Sequence, residues 1–121
     1  GIPVVMDKVD GYEGVDAVID KDFAACKLAS VIDADVLLIL TAVDKVCINF
    51  NTDKQEALDV LTVEEANRYI QEGQFAKGSM LPKVEACVNF VKSKPQGVAI
   101  ISSLSQGEEA LKGKTGTRII N

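Results

Sequence analysis

Val36-Leu37-Leu38-Ile39-Leu40 is a run of five apolar residues without alternation, opened by Asp35 and closed by Thr41. A strand with one wet face alternates apolar and polar side chains. An unbroken aliphatic run therefore predicts a strand covered on both faces, the habit of parallel sheets flanked by helices. Val98-Ala99-Ile100-Ile101 repeats the pattern, and Arg118-Ile119-Ile120 offers a last short strand. An apolar run, Ile2 to Met6, followed by a Gly-rich polar stretch, Asp7 to Asp16, opens the chain.

Between these runs the periodicity becomes helical. Ala25, Leu28, Ala29 and Ile32 fall at i, i+3, i+4 and i+7, ahead of which Asp20 or Asp22 can act as N-cap. Asn49 to Glu56 is polar and loop-like. Thr62 and Glu65 have the spacing of a capping box, and the helix they open should stop near Gly73. Pro82 suits the first turn of the next helix, whose apolar face is Val84, Cys87, Val88 and Val91. Ser105 and Glu108 read as a second capping box, for a short helix ending before Gly113. Alternating strands and helices predict a single α/β domain, since 121 residues is the length of one. In such folds ligands bind beyond the carboxyl ends of strands, which here are Thr41 to Asp44 and Ser102-Ser103.

Composition narrows the chemistry. The chain has no His, which excludes Ser-His and Cys-His nucleophile pairs, His general bases and His-containing metal sites. A net charge of −5 without a basic run points away from nucleic acid. Cys26, Cys47 and Cys87 are widely spaced and odd in number; Cys26 and Cys87 sit in apolar periodic segments and read as buried small hydrophobes of a reducing cytoplasm. No apolar stretch approaches the roughly 20 residues of a membrane span. The start at Gly1, with no initiator Met and no basic leader, reads as a chain entered in its middle.

Gly113-Lys114-Thr115 ends like a phosphate-binding P-loop. That motif requires Gly at position 108, where Glu108 stands, and a strand ahead of it rather than a helix, so the stretch reads as a turn. Two lysines at helix starts carry more information. Lys21 lies in Ile19-Asp20-Lys21-Asp22 and Lys83 follows Gly78-Ser79-Met80-Leu81-Pro82. Lysine is disfavoured beside the positive end of a helix dipole unless a polyanion shares the site. Read singly, each is an ordinary solvated charge. Asp22 serves equally as an N-cap and Asp44 as a turn residue; beside the lysines they would orient ammonium groups or help hold Mg²⁺ with nucleotide phosphates.

Val18-Ile19-Asp20-Lys21-Asp22, Asp35 to Thr41, Val43-Asp44-Lys45-Val46 and Gly78-Ser79-Met80 with Pro82-Lys83-Val84-Glu85-Ala86 resemble carbamate kinases in order and separation, as do Gly1 to Val5 and Gly116-Thr117. The resemblance implies an αβα sandwich on a mainly parallel sheet, truncated at the N-terminus, with residues 1–121 as the C-terminal nucleotide-binding portion. It implies reversible phosphoryl transfer between ATP and carbamate, giving ADP and carbamoyl phosphate, by a cytoplasmic homodimer that makes ATP in arginine fermentation. Lys21, Asp22 and Lys83 match catalytic positions. Thr41, Asp44, Gly78, Ser79, Met80 and Lys83 match nucleotide-binding ones, with Mg²⁺ carried by the nucleotide and no protein metal site. Carbamate or carbamoyl phosphate would be held by a missing N-terminal part, leaving this chain inactive alone. Lys45 stands where the family often has Gly, and Cys47 where an aromatic is common. A non-catalytic nucleotide-binding or assembly module, and another amino-acid kinase acting on a carboxylate, are the competing readings.

Overall fold

The computed structural model describes residues 3–7 and 9–121. Gly1, Ile2 and Lys8, part of the apolar opening and the Gly-rich stretch, lie outside them. A hairpin of β1 (Val4–Asp7) and β2 (Gly11–Gly14) leads to α1 (Lys21–Val31) and β3 (Val36–Thr41). A small ladder of β4 (Cys47–Ile48) and β5 (Glu56–Ala57) precedes β6 (Val60–Thr62), α2 (Val63–Gln71) and α3 (Met80–Ser93). Then come β7 (Val98–Ser103), a 3-10 turn at Leu104–Gln106, α4 (Gly107–Leu111) and β8 (Thr117–Ile120).

The central sheet has the order β3-β7-β8-β6. β3–β7 and β6–β8 are parallel and β7–β8 is antiparallel, so the sheet is mainly parallel as expected. The exception has a simple cause: after β7 the chain makes only the 3-10 turn and the five-residue α4, too little to cross to the far end of the sheet.

Alternation assigns the two faces. Leu37 and Ile39 share a face with Ala99 and Ile101, with Ile119 and with Leu61, and all are buried. Against them α3 lays Val84, Cys87, Val88 and Val91, the predicted apolar face, together with Phe90. On α1 the buried residues are Cys26 and Ala29; Leu28 and Ile32, expected in the core, are exposed, so the buried stripe is turned from the predicted one. The expectation that β3 is covered on both faces holds on one side only. Val36 and Leu40 are 43% and 38% exposed on the other face. There α4 is the covering element, with Gly107 close over Leu38 and Leu40, and five residues cannot shield a sheet.

Local signals fared unevenly. Asp20, not Asp22, caps α1: the amides of Asp22 and Phe23 donate to its Oδ1 at 2.8 and 3.2 Å. Gly73 stops α2 in the left-handed conformation, with φ +72°. The second capping box does not form. Ser105 sits in the 3-10 turn with its hydroxyl 3.3 Å from that of Ser103, while Glu108 accepts from Lys112 four residues on. Ser102 and Ser103, expected beyond the strand, are its buried last residues.

The Thr62 box does form. The Glu65 amide donates to Thr62 Oγ1 at 3.2 Å, and Thr62 N and Oγ1 donate to Glu65 Oε2 at 3.0 and 2.9 Å. These donors, the backbone one foremost, hold the Glu65 carboxyl below the ordinary value of 4.5. A depressed folded-state value means stabilisation that is complete above 4.5 and lost as pH falls through the folded value. Thr62→Ala should therefore lower stability by about 1 kcal/mol at pH 7. In urea melts that cost should shrink in acid; a pH-independent cost would count against the box.

Candidate functional site

The carboxyl end of β3 opens into a pocket of about 340 Å³. Thr41, Ala42 and Val43 form one wall, Cys47 and Phe50 a second, and Phe75, Ser79 and Met80 a third. The walls are tied together. Asn49 N donates to Gln74 Oε1 at 2.9 Å, and Gln74 Nε2 returns to Asn49 Oδ1 at 3.4 Å, which fixes the 74–79 loop against the loop after β4. Phe75 is buried and meets Tyr69 edge-on, at 6.5 Å between centroids. Beneath, Val46 N donates to Thr117 Oγ1 at 2.8 Å and Leu58 N to Val46 O at 2.8 Å, which pins the segment after β3 to the sheet.

Two helix starts converge beside this pocket and differ in one respect. The N-terminus of α1 is capped by Asp20, whereas that of α3 has neither a side-chain cap nor an acidic residue in its first turn. Ser79 and Met80, the first residues of that uncapped end, line the pocket. One turn on, Lys83 Nζ donates to Asp22 Oδ2 at 2.9 Å. The pair is partly sheltered, with side-chain exposures of 21% and 17%, so its charges are less screened than a surface pair's. Ser79 N and Leu81 N donate to Ala76 O at 3.2 and 3.0 Å, and Pro82 has no N–H. It is therefore the Lys83 ammonium and the positive end of the helix dipole, with an apolar pocket ahead, that suit an anionic, partly apolar ligand.

Of the residues singled out from sequence, Thr41, Ser79 and Met80 reach the pocket, and Asp22 joins Lys83. Lys21, first residue of α1, is exposed and makes no ion pair among the described residues. Asp44 is exposed in the bend after β3, and Gly78 lies on the exposed turn before α3 with open space around its Cα. Sequence reasoning missed Phe50 and Phe75. A scarce aromatic on each of two polar loops was the available signal; Phe75 is buried in the core while Phe50 is exposed. Cys87 and Cys26 are buried, and burial pushes both thiols up, so they pack rather than react. All three cysteines are free.

A family model described as the amino acid kinase family matches residues 1–102. The chain belongs to the amino acid kinase family. This amino acid kinase chain is 62% identical over 120 residues to a carbamate kinase of Clostridium perfringens, covering 99% of this chain and 38% of the relative. It is 55% identical over 119 residues to a carbamate kinase of Staphylococcus haemolyticus, again covering 38% of it. The structure of carbamate kinase from Giardia lamblia bound to AMP-PNP superposes with a TM-score of 0.94 at 42% identity, over 100% of this chain and 42% of that one. The mixed α/β architecture, a central sheet flanked by helices, is thus that of carbamate kinase structures. The chain spans 38% of the length of the curated relatives it matches. Among the described residues no helix is long and apolar enough to cross a membrane.

Proposed function

We propose that the chain is the C-terminal, nucleotide-binding part of a carbamate kinase, which transfers a phosphoryl group between ATP and carbamate to give ADP and carbamoyl phosphate. The observation that carries this reading is the uncapped start of α3, with Ser79 and Met80 at the pocket and Lys83 held by Asp22. The AMP-PNP bound to the Giardia relative supports a nucleotide as the ligand. The adenine would occupy the apolar pocket between Phe50, Phe75 and Met80, and the phosphates would run toward Lys83 at the start of α3.

Phosphoryl transfer asks for alignment and neutralised charge rather than a covalent nucleophile, which a His-free chain can supply. Lys83 would neutralise charge on the transferring phosphoryl, and Asp22 would fix the ammonium in place. Lys21, exposed and unpaired among the described residues, is free to swing onto the same phosphates. Thr41, Asp44 and Gly78 would shape the strand end and loop around the nucleotide. Mg²⁺ would arrive coordinated by the nucleotide phosphates. The rest of the enzyme would bind carbamate or carbamoyl phosphate, in a cytoplasmic homodimer that makes ATP during arginine fermentation, and this chain alone would not turn over.

Calorimetric titration of the 121-residue chain with MgADP should give one saturable site. No heat from the folded chain would sink the nucleotide reading. A panel on the full-length kinase, offering carbamoyl phosphate and the acyl phosphates of glutamate, aspartate and N-acetylglutamate, should yield ATP from carbamoyl phosphate alone; ATP from another would move the protein elsewhere in the family.

A further inference from the structure

A second cleft of about 370 Å³ opens at the same end of the sheet, where β6 and β8 begin. Its walls are Lys45, Asp59, Val60, Arg118 and the turn Gly113–Gly116, the stretch that failed as a P-loop. We propose that this cleft binds a small phosphate-bearing anion, separately from the nucleotide pocket.

Charge is the first argument. Three cations, Lys45, Lys114 and Arg118, stand against two carboxylates, Asp59 in the wall and Glu109 on Lys114, which leaves one positive charge in excess in a chain whose net charge is −5. The positive balance runs against the chain's trend, and a cleft concentrates it. Lys45 is paired with Asp59, and Lys114 Nζ lies 2.9 Å from Glu109 Oε2. Arg118 has no carboxylate partner among the described residues.

The placement of Arg118 is the second. Its neighbours in β8, Thr117 and Ile119, are buried on the α3 face, so alternation sends the guanidinium to the opposite face. There it sits in register between Val60 of β6 and Ile100 of β7, a planar fork of donors flanked by aliphatic side chains. That fork matches the spacing of phosphate oxygens.

The turn is the third. Neither the Thr115 hydroxyl nor the backbone N–H of Thr115 or Gly116 has a protein acceptor among the described residues. Gly113 and Gly116 both have positive φ, 75° and 83°. A Cβ on Gly116 would lie 3.0 Å from Ile101 O, so the turn is pressed onto β7 and holds its donors in place. Donors fixed before the ligand arrives lose little entropy on binding it.

Lys45 lines both clefts, so the phosphate could come from two sources: a free anion, or the tail of a nucleotide seated next door. Amide NMR of the chain titrated with inorganic pyrophosphate at low ionic strength, without and with saturating ADP, separates them. We expect saturable shifts at Thr115, Gly116 and Arg118 that persist with ADP present. Arg118→Ala should weaken pyrophosphate binding at least tenfold and Lys114→Ala severalfold. Arg118→Lys, which keeps the charge without the fork, should fall between wild type and Arg118→Ala. Shifts confined to the Lys83 end, shifts abolished by ADP, or no saturation would each overturn the proposal. Pyrophosphate binding by a chain that ignores ADP would leave this cleft standing while the nucleotide reading fell.

Discussion

Lys83→Ala should weaken ADP binding to the chain roughly 10- to 100-fold, the loss of one charge-assisted hydrogen bond at 1.5 to 3 kcal/mol. Two effects add. The ammonium that would meet the phosphates is gone, and the Asp22 carboxylate it held at 2.9 Å is left facing them unpaired. Asp22→Asn in the same background should therefore recover part of the loss, a coupling that a double-mutant cycle reads directly. If Lys83 has the proposed role, the single change in the full-length protein should lower kcat for carbamoyl phosphate and ADP by at least about 100-fold, the loss of a donor to developing charge. Unchanged ADP affinity in the folded variant would remove Lys83 from the site.

Phe90→Ala should be the most damaging core substitution, at about 3 to 5 kcal/mol. Phe90 is the largest fully buried side chain, and its ring lies 3.1 Å from where a Cβ on Gly97 would stand. Without it α3 loses its hold on the turn that leads into β7, and surrounding aliphatics can only partly collapse into the space. Against the 5 to 15 kcal/mol typical of domains, that leaves a chain folded marginally or not at all. Urea melts followed by circular dichroism should show the midpoint falling with the slope unchanged. A shift worth under about 1 kcal/mol would mean that the site repacks.

What the sequence revealed divides by the range of the interaction. The strands at Val36 and Val98, the Thr62–Glu65 box, the stop at Gly73 and the α3 face were legible because each is decided within a few residues. Which face of α1 is buried was not, because Leu28 and Ile32 satisfy the helical period as well as Cys26 and Ala29 do, and packing against α3 decides between them. The antiparallel entry of β8 was equally hidden, since it follows from how little chain α4 occupies. At the candidate site, Lys83 and Asp22 were conspicuous as charges at helix starts. Their contact, across 61 positions of sequence, was not readable from spacing. Phe50 and Phe75 acquire meaning only when the Asn49–Gln74 bonds bring two loops face to face.

Because β8 re-enters the sheet from the rim that β7 leaves, the two ends of one small sheet carry unequal burdens. At one end the segment after Thr41, the start of β6 and the Gly113–Gly116 turn crowd around two clefts that share Lys45. At the other, Lys94 ties Asp33 and Asp35 together at 3.1 and 2.8 Å, a seam that joins the α1–β3 and α3–β7 connections. The clefts and this seam therefore lie at opposite ends of the sheet, so substitutions that reshape the clefts leave the connections at the far end untouched. Evolution, or an engineer, can thus reshape the clefts without reopening the problem of the fold.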